Sequence, residues 1–502
     1  MEPNVAQILE HRARLTPHWV GLVEWESARR FRFSELEERA RRLAAWLSHC
    51  GVKKGDRVSI IALNGVYYVD LFFALAKLGA IFTPINWRLA VPEMEYILKD
   101  AQPKVVFYEE DFAAQVKELR ASYSNAEWIS LSTYEEKLFS FPPEIPETEV
   151  SLEDPHTIFY TSGTTGRPKG AILPHRMILW NSFNTIVSWG LTCDDVFPVF
   201  TPMFHSGGFN VGLIPLIHVG GRSILVRKFE PESALRLIEV EKATVVFMVP
   251  TMFQMLAETP AFWRTDWSSV RFAISGGAPC PLELIKLYQS RGIVFKQGFG
   301  MTEAGVNCFS MTEEEAFLKP GSVGKPIFHS AVKLVNEEGQ EVGEEEVGEL
   351  LIAGPHVCAG YWQKPEETAG TLVEGWIHTG DLAKRDKDGF YYIVGRKKEM
   401  FISGGENVYM AEVEMVLNSH PKVKEAAVIP IPDPKWGEVG RAVVVLKPGM
   451  TATEEEIKAF CEGKLARYKI PKSVVFTDEP LPRNPYGKLL RSELIRRYGE
   501  KR

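Results

Sequence analysis

Apolar and polar positions along the 502-residue chain switch repeatedly between the period of a strand and that of a helix. Short apolar runs over 57–62, 80–84 and 104–108 read as strands, and the longer stretches over 66–78 and 92–101 between them read as helices. Alternation of this kind predicts parallel strands covered by helices. A connector rich in proline and glutamate, 140–154, interrupts the rhythm. Strands are then expected over 157–160, 171–173, 222–225, 243–249, 270–275 and 294–297, the last four each followed by a turn or helix signal. From 338 to 354 the texture becomes short, charged hairpins; beyond 396 a helix over 411–419, strands over 423–431 and 440–446 and a helix over 453–465 form a separate series. The expected fold class is α/β. A large N-terminal domain over 1–395 holds parallel-type sheets sandwiched with helices plus a β-rich subdomain, and a small α+β C-terminal domain occupies 396–502.

Composition narrows the function more than the fold. A hydrophobic share of 45% and a net charge of −7 describe an ordinary globular protein with no overall surface for nucleic acid. The six cysteines show no CxxC or metal-ligand spacing, which suits a reducing compartment, and the charged N-terminus lacks a secretory apolar core. The expectation is a cytoplasmic protein. One stretch, 67–85, approaches a membrane span, but Asp70 and Lys77 interrupt it, and a buried helix running into a strand is the simpler reading. Arg39, Arg41 and Arg42 alternate with Glu37 and Glu38 and read as a solvated helix face.

Candidate chemistry lies in the loops behind predicted strands, since ligands of open parallel sheets collect at strand carboxyl ends. YTSGTTGRPKG, at 160–170, crowds Thr161, Ser162, Gly163, Thr164, Thr165, Gly166 and Lys169 between two apolar runs. Glycines expose backbone N–H groups, hydroxyls add neutral donors and the lysine adds charge, so the loop suits a polyphosphate. It is not a Walker A loop, because Pro168 precedes the lysine and Gly170 follows it. GGAP follows at Gly276, Gly277, Ala278 and Pro279, where the backbone can approach a flat base; a plain turn reads the same letters. In GFGMTEAG, 298–305, Phe299 can stack on a purine, Thr302 offers a hydroxyl to a phosphate and Glu303 a hard oxygen to Mg²⁺. Further on, Asp381 suits the two ribose hydroxyls and Arg396 adds charge nearby, although a turn carboxylate and a salt bridge are the plainer alternatives.

In order and spacing these segments resemble the signatures of the adenylate-forming superfamily, which includes acyl- and aryl-CoA ligases, over essentially the whole chain. The segments FHSGGF, SGGENVY and PDPKWGE are most similar to bacterial fatty-acid CoA ligases of the short type. The resemblance implies that ATP, Mg²⁺ and coenzyme A are used, and that Gly298, Phe299, Gly300, Met301 and Ile393 join the nucleotide-binding set. It makes Thr302 and Glu303 phosphate and magnesium residues, with Thr161 a second contact to the ion. Lys398 becomes the hinge of a mobile small domain. Gly404 and Gly405 lie in the loop that turns toward the pantetheine arm, and Trp436 lies near that arm or packs in the small domain. Lys488 becomes the cation that bridges carboxylate and phosphate oxygens during adenylation.

The acid substrate is read from fewer residues. His205, in FHSGGF, is expected beside the substrate carboxylate or as a hydrogen-bonded core histidine. Phe209 matches an aromatic that gates the acyl tunnel of long-chain relatives, and Gly300 stands where acetate-specific members carry tryptophan. Gly207, Gly208 and Gly300 are therefore expected to leave room for a tail. Each buried CH₂ is worth ~0.8 kcal/mol, so a twelve-carbon chain has about 8 kcal/mol more to gain than acetate. A medium- or long-chain fatty acid is the first expectation; an aryl-CoA ligase for benzoate- or cinnamate-like acids, or a catalytically idle acyl- or nucleotide-binding relative, are the alternatives. Homodimer formation and transient membrane contact during lipid uptake stay open.

Overall fold

The computed structural model describes residues 3–145, 147–161, 168–403, 406–434, 436–465, 467–484 and 487–499. Strands Arg57–Ile61, Ile81–Pro84 and Val105–Tyr108 run parallel, joined by helices Val66–Leu78 and Val91–Ala101. Helices cover this sheet, so its strands are continuous apolar runs rather than alternating ones. From edge to edge the sheet reads Glu127–Ser130, Val105–Tyr108, Arg57–Ile61, Ile81–Pro84, Pro155–Thr161, Lys169–Pro174. Its last pair departs from the parallel pattern: Pro155–Thr161 and Lys169–Pro174 are antiparallel, with Thr161 opposite Lys169. The glycine-rich loop therefore closes a hairpin.

A four-stranded sheet, Arg30–Arg32, Val20–Glu24, Arg222–Leu225 and Val196–Val199, lies beside a parallel three-stranded one, Val245–Met248, Phe272–Ser275 and Phe295–Gln297. Thr244 N donates to the Val196 carbonyl at 2.9 Å and carries the chain from one into the other. The last two strands end side by side, which brings the loops at 276–279 and 298–305 to one edge.

An antiparallel sheet follows, built from Ala331–Val335, Val347–Ala353, Trp376–Arg385, Leu372–Val373 and Tyr391–Arg396. Phe309–Ser310 pairs with Lys325–Pro326, and the last five strands, Met400–Ser403, Glu406–Tyr409, Val423–Asp433, Gly437–Leu446 and Ser473–Phe476, form their own sheet around Phe401, Val413, Leu417, Val428 and Val444. The helix expected over 453–465 stops at Cys461, because Glu462 is extended and Gly463 turns left-handed at φ +73.

The solvated helix face is corrected. On helix Phe33–His49, Arg39 is buried against Asp70 at 2.8 Å and Glu135 at 2.8 Å, and Glu37 is buried against Lys77 at 2.7 Å. Asp70 and Lys77, the charges that interrupt the apolar run of helix Val66–Leu78, are thus the partners of charges on its neighbour. Two buried helix surfaces can carry ions only in such matched pairs. Among the described residues all six cysteines are free, and no helix is long and apolar enough to cross a membrane.

Candidate active site

The base of the glycine-rich hairpin is fixed by its strands. Ser162, Gly163, Thr164, Thr165 and Gly166 lie outside the described residues, but Thr161 and Lys169 face each other at the base of the loop. The Thr161 hydroxyl has two acceptors at 3.4 Å, the Lys169 carbonyl and Glu303 Oε1, for its single proton. Glu303 sits in a tight turn closed by Met301 N donating to the Gly305 carbonyl at 2.9 Å, with Gly305 at φ +96. Thr302 precedes it, half-buried in the same turn.

Glu303 is buried, and the Tyr361 hydroxyl donates to its Oε1 at 2.8 Å. Oε2 has no hydrogen-bond partner among the described residues. A carboxylate with one oxygen available beside a hydroxyl is a hard-oxygen donor set of the kind Mg²⁺ takes when phosphates and water complete its shell, so these residues fit that ion. Among the described residues no group of three or more His, Cys, Asp or Glu makes a protein-only cage.

The two loops expected to meet the base are shaped by their glycines. Gly277 is left-handed at φ +79, and a Cβ on Gly276 would stand 2.9 Å from Phe247. Ala278 and Pro279 are exposed beside them, while Cys280 N is held by Gln297 Oε1 at 2.9 Å. Phe299 is half-buried, its ring edge-on to Phe309 at 5.9 Å.

Asp381 and Arg396 are cross-strand neighbours, Arg396 Nε donating to Asp381 Oδ1 at 2.9 Å. Ile393, on the same strand as Arg396, is packed against the large core. Burial pushes the Asp381 carboxyl above its ordinary range, and Arg396 and then Lys488 oppose that. Lys488 belongs to a turn in which its own N–H donates to Asn484 Oδ1 at 2.9 Å, after Gly487 at φ +80. Its side chain is solvent-accessible, yet desolvation by surrounding protein and then Arg396 pull its ammonium below the usual lysine range, while Glu399 and Asp381 act the other way. Lys488 and Asp381, far apart in sequence, therefore share one electrostatic neighbourhood.

The residues expected at the hinge and beside the thiol follow in sequence. Lys398 lies in the short 3-10 turn Lys397–Glu399, directly between the antiparallel sheet and the last one, and Gly404 and Gly405 lie outside the described residues. Trp436, 40% exposed, stands at the turn between strands Val423–Asp433 and Gly437–Leu446.

The acid-side expectations divide. His205 is half-buried against Phe204 with ring centroids 4.6 Å apart; burial and then Arg88 lower its imidazole to about 4, so it is neutral at physiological pH. Phe209 lies in the core, stacked on Phe72 at 4.8 Å and edge-on to Phe82 at 5.8 Å, so it is held by the aromatic cluster. Two of the three room-giving glycines give none: a Cβ on Gly300 would meet the Val306 carbonyl oxygen at 2.1 Å, and one on Gly208 the Pro202 carbonyl oxygen at 2.5 Å. Both are glycines because backbone passes over them. Gly207 alone of the three has space, its nearest neighbour being Val211 at 3.9 Å.

Tyr361 escapes sequence reasoning. Its Gly-Tyr-Trp context reads as a loop, and the pairing of Tyr361 with Ala171, together with Cys358 N donating to the Glu303 carbonyl, brings it to Glu303.

Residues 9–362 match the family model described as AMP-binding enzyme, and residues 412–488 match the AMP-binding enzyme C-terminal domain. The chain is 41% identical to a feruloyl-CoA synthase of Amycolatopsis over 97% of this chain and 98% of that one. It is 36% identical to the long-chain-fatty-acid–CoA ligase FadD13 of Mycobacterium tuberculosis, over 99% and 98%. Among solved structures, ATP-bound MatB from Rhodopseudomonas palustris aligns at a TM-score of 0.91 with 30% identity, covering 100% of this chain and 99% of that one. Apo MatB, also 30% identical and covering 99% of each chain, aligns at 0.80. The chain belongs to the AMP-binding enzyme family, within the adenylate-forming superfamily, and is an ATP-dependent acid–CoA ligase.

Proposed function

We propose that the acid is aromatic, of the cinnamate or hydroxycinnamate type. The carboxylate attacks the α-phosphate of ATP, pyrophosphate leaves, and the thiol of coenzyme A then attacks the acyl-adenylate carbonyl and expels AMP. Lys488 bridges carboxylate and α-phosphate oxygens as charge moves between them, a preorganised donor used in the transition state. Asp381 accepts from the ribose hydroxyls, Lys169 and the hairpin loop hold the phosphates, and Thr161 with Glu303 would hold Mg²⁺. Bound there, the ion would supply positive charge against the phosphates that Lys169 and the hairpin loop hold. Neutral His205 meets the substrate carboxylate as a hydrogen-bonding group.

The observation that carries this reading is the shared neighbourhood of Lys488, Asp381 and Arg396. The higher alignment score with ATP-bound than with apo MatB supports an arrangement suited to adenylation. A boundary at 396–398, with Lys398 as hinge, follows from the same reading: pantetheine enters where Lys488 sat, so the small domain must turn. Lys398→Pro should leave pyrophosphate exchange measurable and abolish thioester formation; equal loss of both would contradict the hinge.

The aromatic acid is favoured by the likeness to feruloyl-CoA synthase and by the backbone over Gly208 and Gly300, which takes space a long tail was expected to use. The likeness to FadD13 favours a medium- or long-chain fatty acid as the second reading. Thioester formation with ferulate, cinnamate, benzoate, octanoate and laurate separates them. Highest kcat/KM with ferulate or cinnamate is expected; highest with laurate would replace the first reading by the second.

A further inference from the structure

We propose that Tyr361 is a positioning residue for the phosphate end of the site, its hydroxyl aiming the Glu303 carboxylate while its ring holds Lys169 apart from that carboxylate. Its hydroxyl donates to Glu303 Oε1 at 2.8 Å, and the Lys169 ammonium stands 5.4 Å from the centroid of the same ring. A carboxylate and an ammonium on neighbouring loops would ordinarily pair and cancel, yet among the described residues no ion pair joins Glu303 to Lys169. Tyr361 gives each charge a neutral partner instead: a charge-assisted hydrogen bond for the acid and an aromatic face for the base. Both charges then stay available to a polyphosphate and its cation.

The backbone around Tyr361 is tied on every side. Tyr361 bridges to Ala171, Ile172 N donates to the Gly360 carbonyl at 2.9 Å, and Trp362 N donates to the Gly170 carbonyl at 2.8 Å. Cys358 N donates to the Glu303 carbonyl at 2.8 Å, and Tyr361 N to Thr368 Oγ1 at 2.9 Å. The segment is thus laced at once to the strand that carries Lys169 and to the turn that carries Glu303.

This inference rests on reading Glu303 as the magnesium carboxylate, and the test separates the two. Mn²⁺ binding to the full-length enzyme with ATP and no acid is titrated by electron paramagnetic resonance for wild type, Tyr361→Phe, Tyr361→Leu and Glu303→Gln. Losing a hydrogen bond to a charged group should weaken Mn²⁺ binding on the order of tenfold in Tyr361→Phe. Metal-free ATP binding should stay unchanged in Phe, which keeps the ring under Lys169, and weaken in Leu, which does not. Unchanged Mn²⁺ affinity in Tyr361→Phe alongside weakened affinity in Glu303→Gln overturns the role of Tyr361 and leaves the reading of Glu303 standing. Unchanged affinity in Glu303→Gln overturns both. Melting temperatures equal to wild type, with Mn²⁺ affinity lowered, exclude a merely structural effect.

Discussion

Asp381 and Arg396 face each other across two antiparallel strands, joined at 2.9 Å, and Lys488 from near the end of the chain enters the same field. The carboxylate is buried and its pKa raised, so its charged form is lost as pH falls through a value above the usual 3.8. ATP affinity should therefore weaken on that acidic limb. Asp381→Asn keeps the shape and would replace the charge-assisted bonds proposed to ribose by neutral ones, so KM for ATP should rise on the order of tenfold. Its acidic limb should also flatten. An ATP titration of both proteins from neutral to acidic pH checks this; a limb that persists unchanged in the Asn variant assigns it elsewhere.

The buried pair Arg39–Asp70 predicts an asymmetric stability response. Asp70→Asn leaves the buried guanidinium with Glu135 as its remaining acid and should destabilise by about 3 kcal/mol. Arg39→Met with Asp70→Leu removes both buried charges, leaves half-exposed Glu135 to water and strands the Tyr134 hydroxyl that donated to Asp70 at 2.9 Å, and should cost less. Urea unfolding followed by tryptophan fluorescence compares them; a double variant as unstable as the single one would contradict the argument.

The glycines of the acid side should separate into two kinds. Gly300→Ala and Gly208→Ala push a Cβ into backbone carbonyls and should cost about 1–3 kcal/mol each, with activity falling alongside the melting temperature. Gly207→Val meets no such obstacle and should leave melting unchanged while lowering kcat/KM for the bulkier acids. Unaltered acid preference in Gly207→Val would place the acid elsewhere.

Much of this was legible in the sequence because strand and helix periods and strand-end glycine loops are local signals. Arg57–Ile61, Val66–Leu78 and Arg222–Leu225 fall within a residue of the predicted elements, and the turn carrying Thr302 and Glu303 follows the strand predicted to precede it. What failed depended on distant partners. The polarity of Arg39 and Glu37 suggested water until Asp70 and Lys77 arrived from another helix, and Gly300 suggested space until Val306 folded over it. Tyr361 meets Glu303 through pairing with Ala171, 190 residues earlier, and through the bond from Cys358 N to the Glu303 carbonyl, which no local pattern encodes.

The central claim is that Lys488 serves acyl-adenylate formation and nothing after it. Lys488→Ala should lower acid-dependent pyrophosphate release on the order of 10²–10³, the loss expected for one preorganised donor. The same protein, given synthetic acyl-adenylate and coenzyme A, should form thioester at the wild-type rate. Wild-type pyrophosphate release, or an equal loss in both half-reactions, would contradict the account.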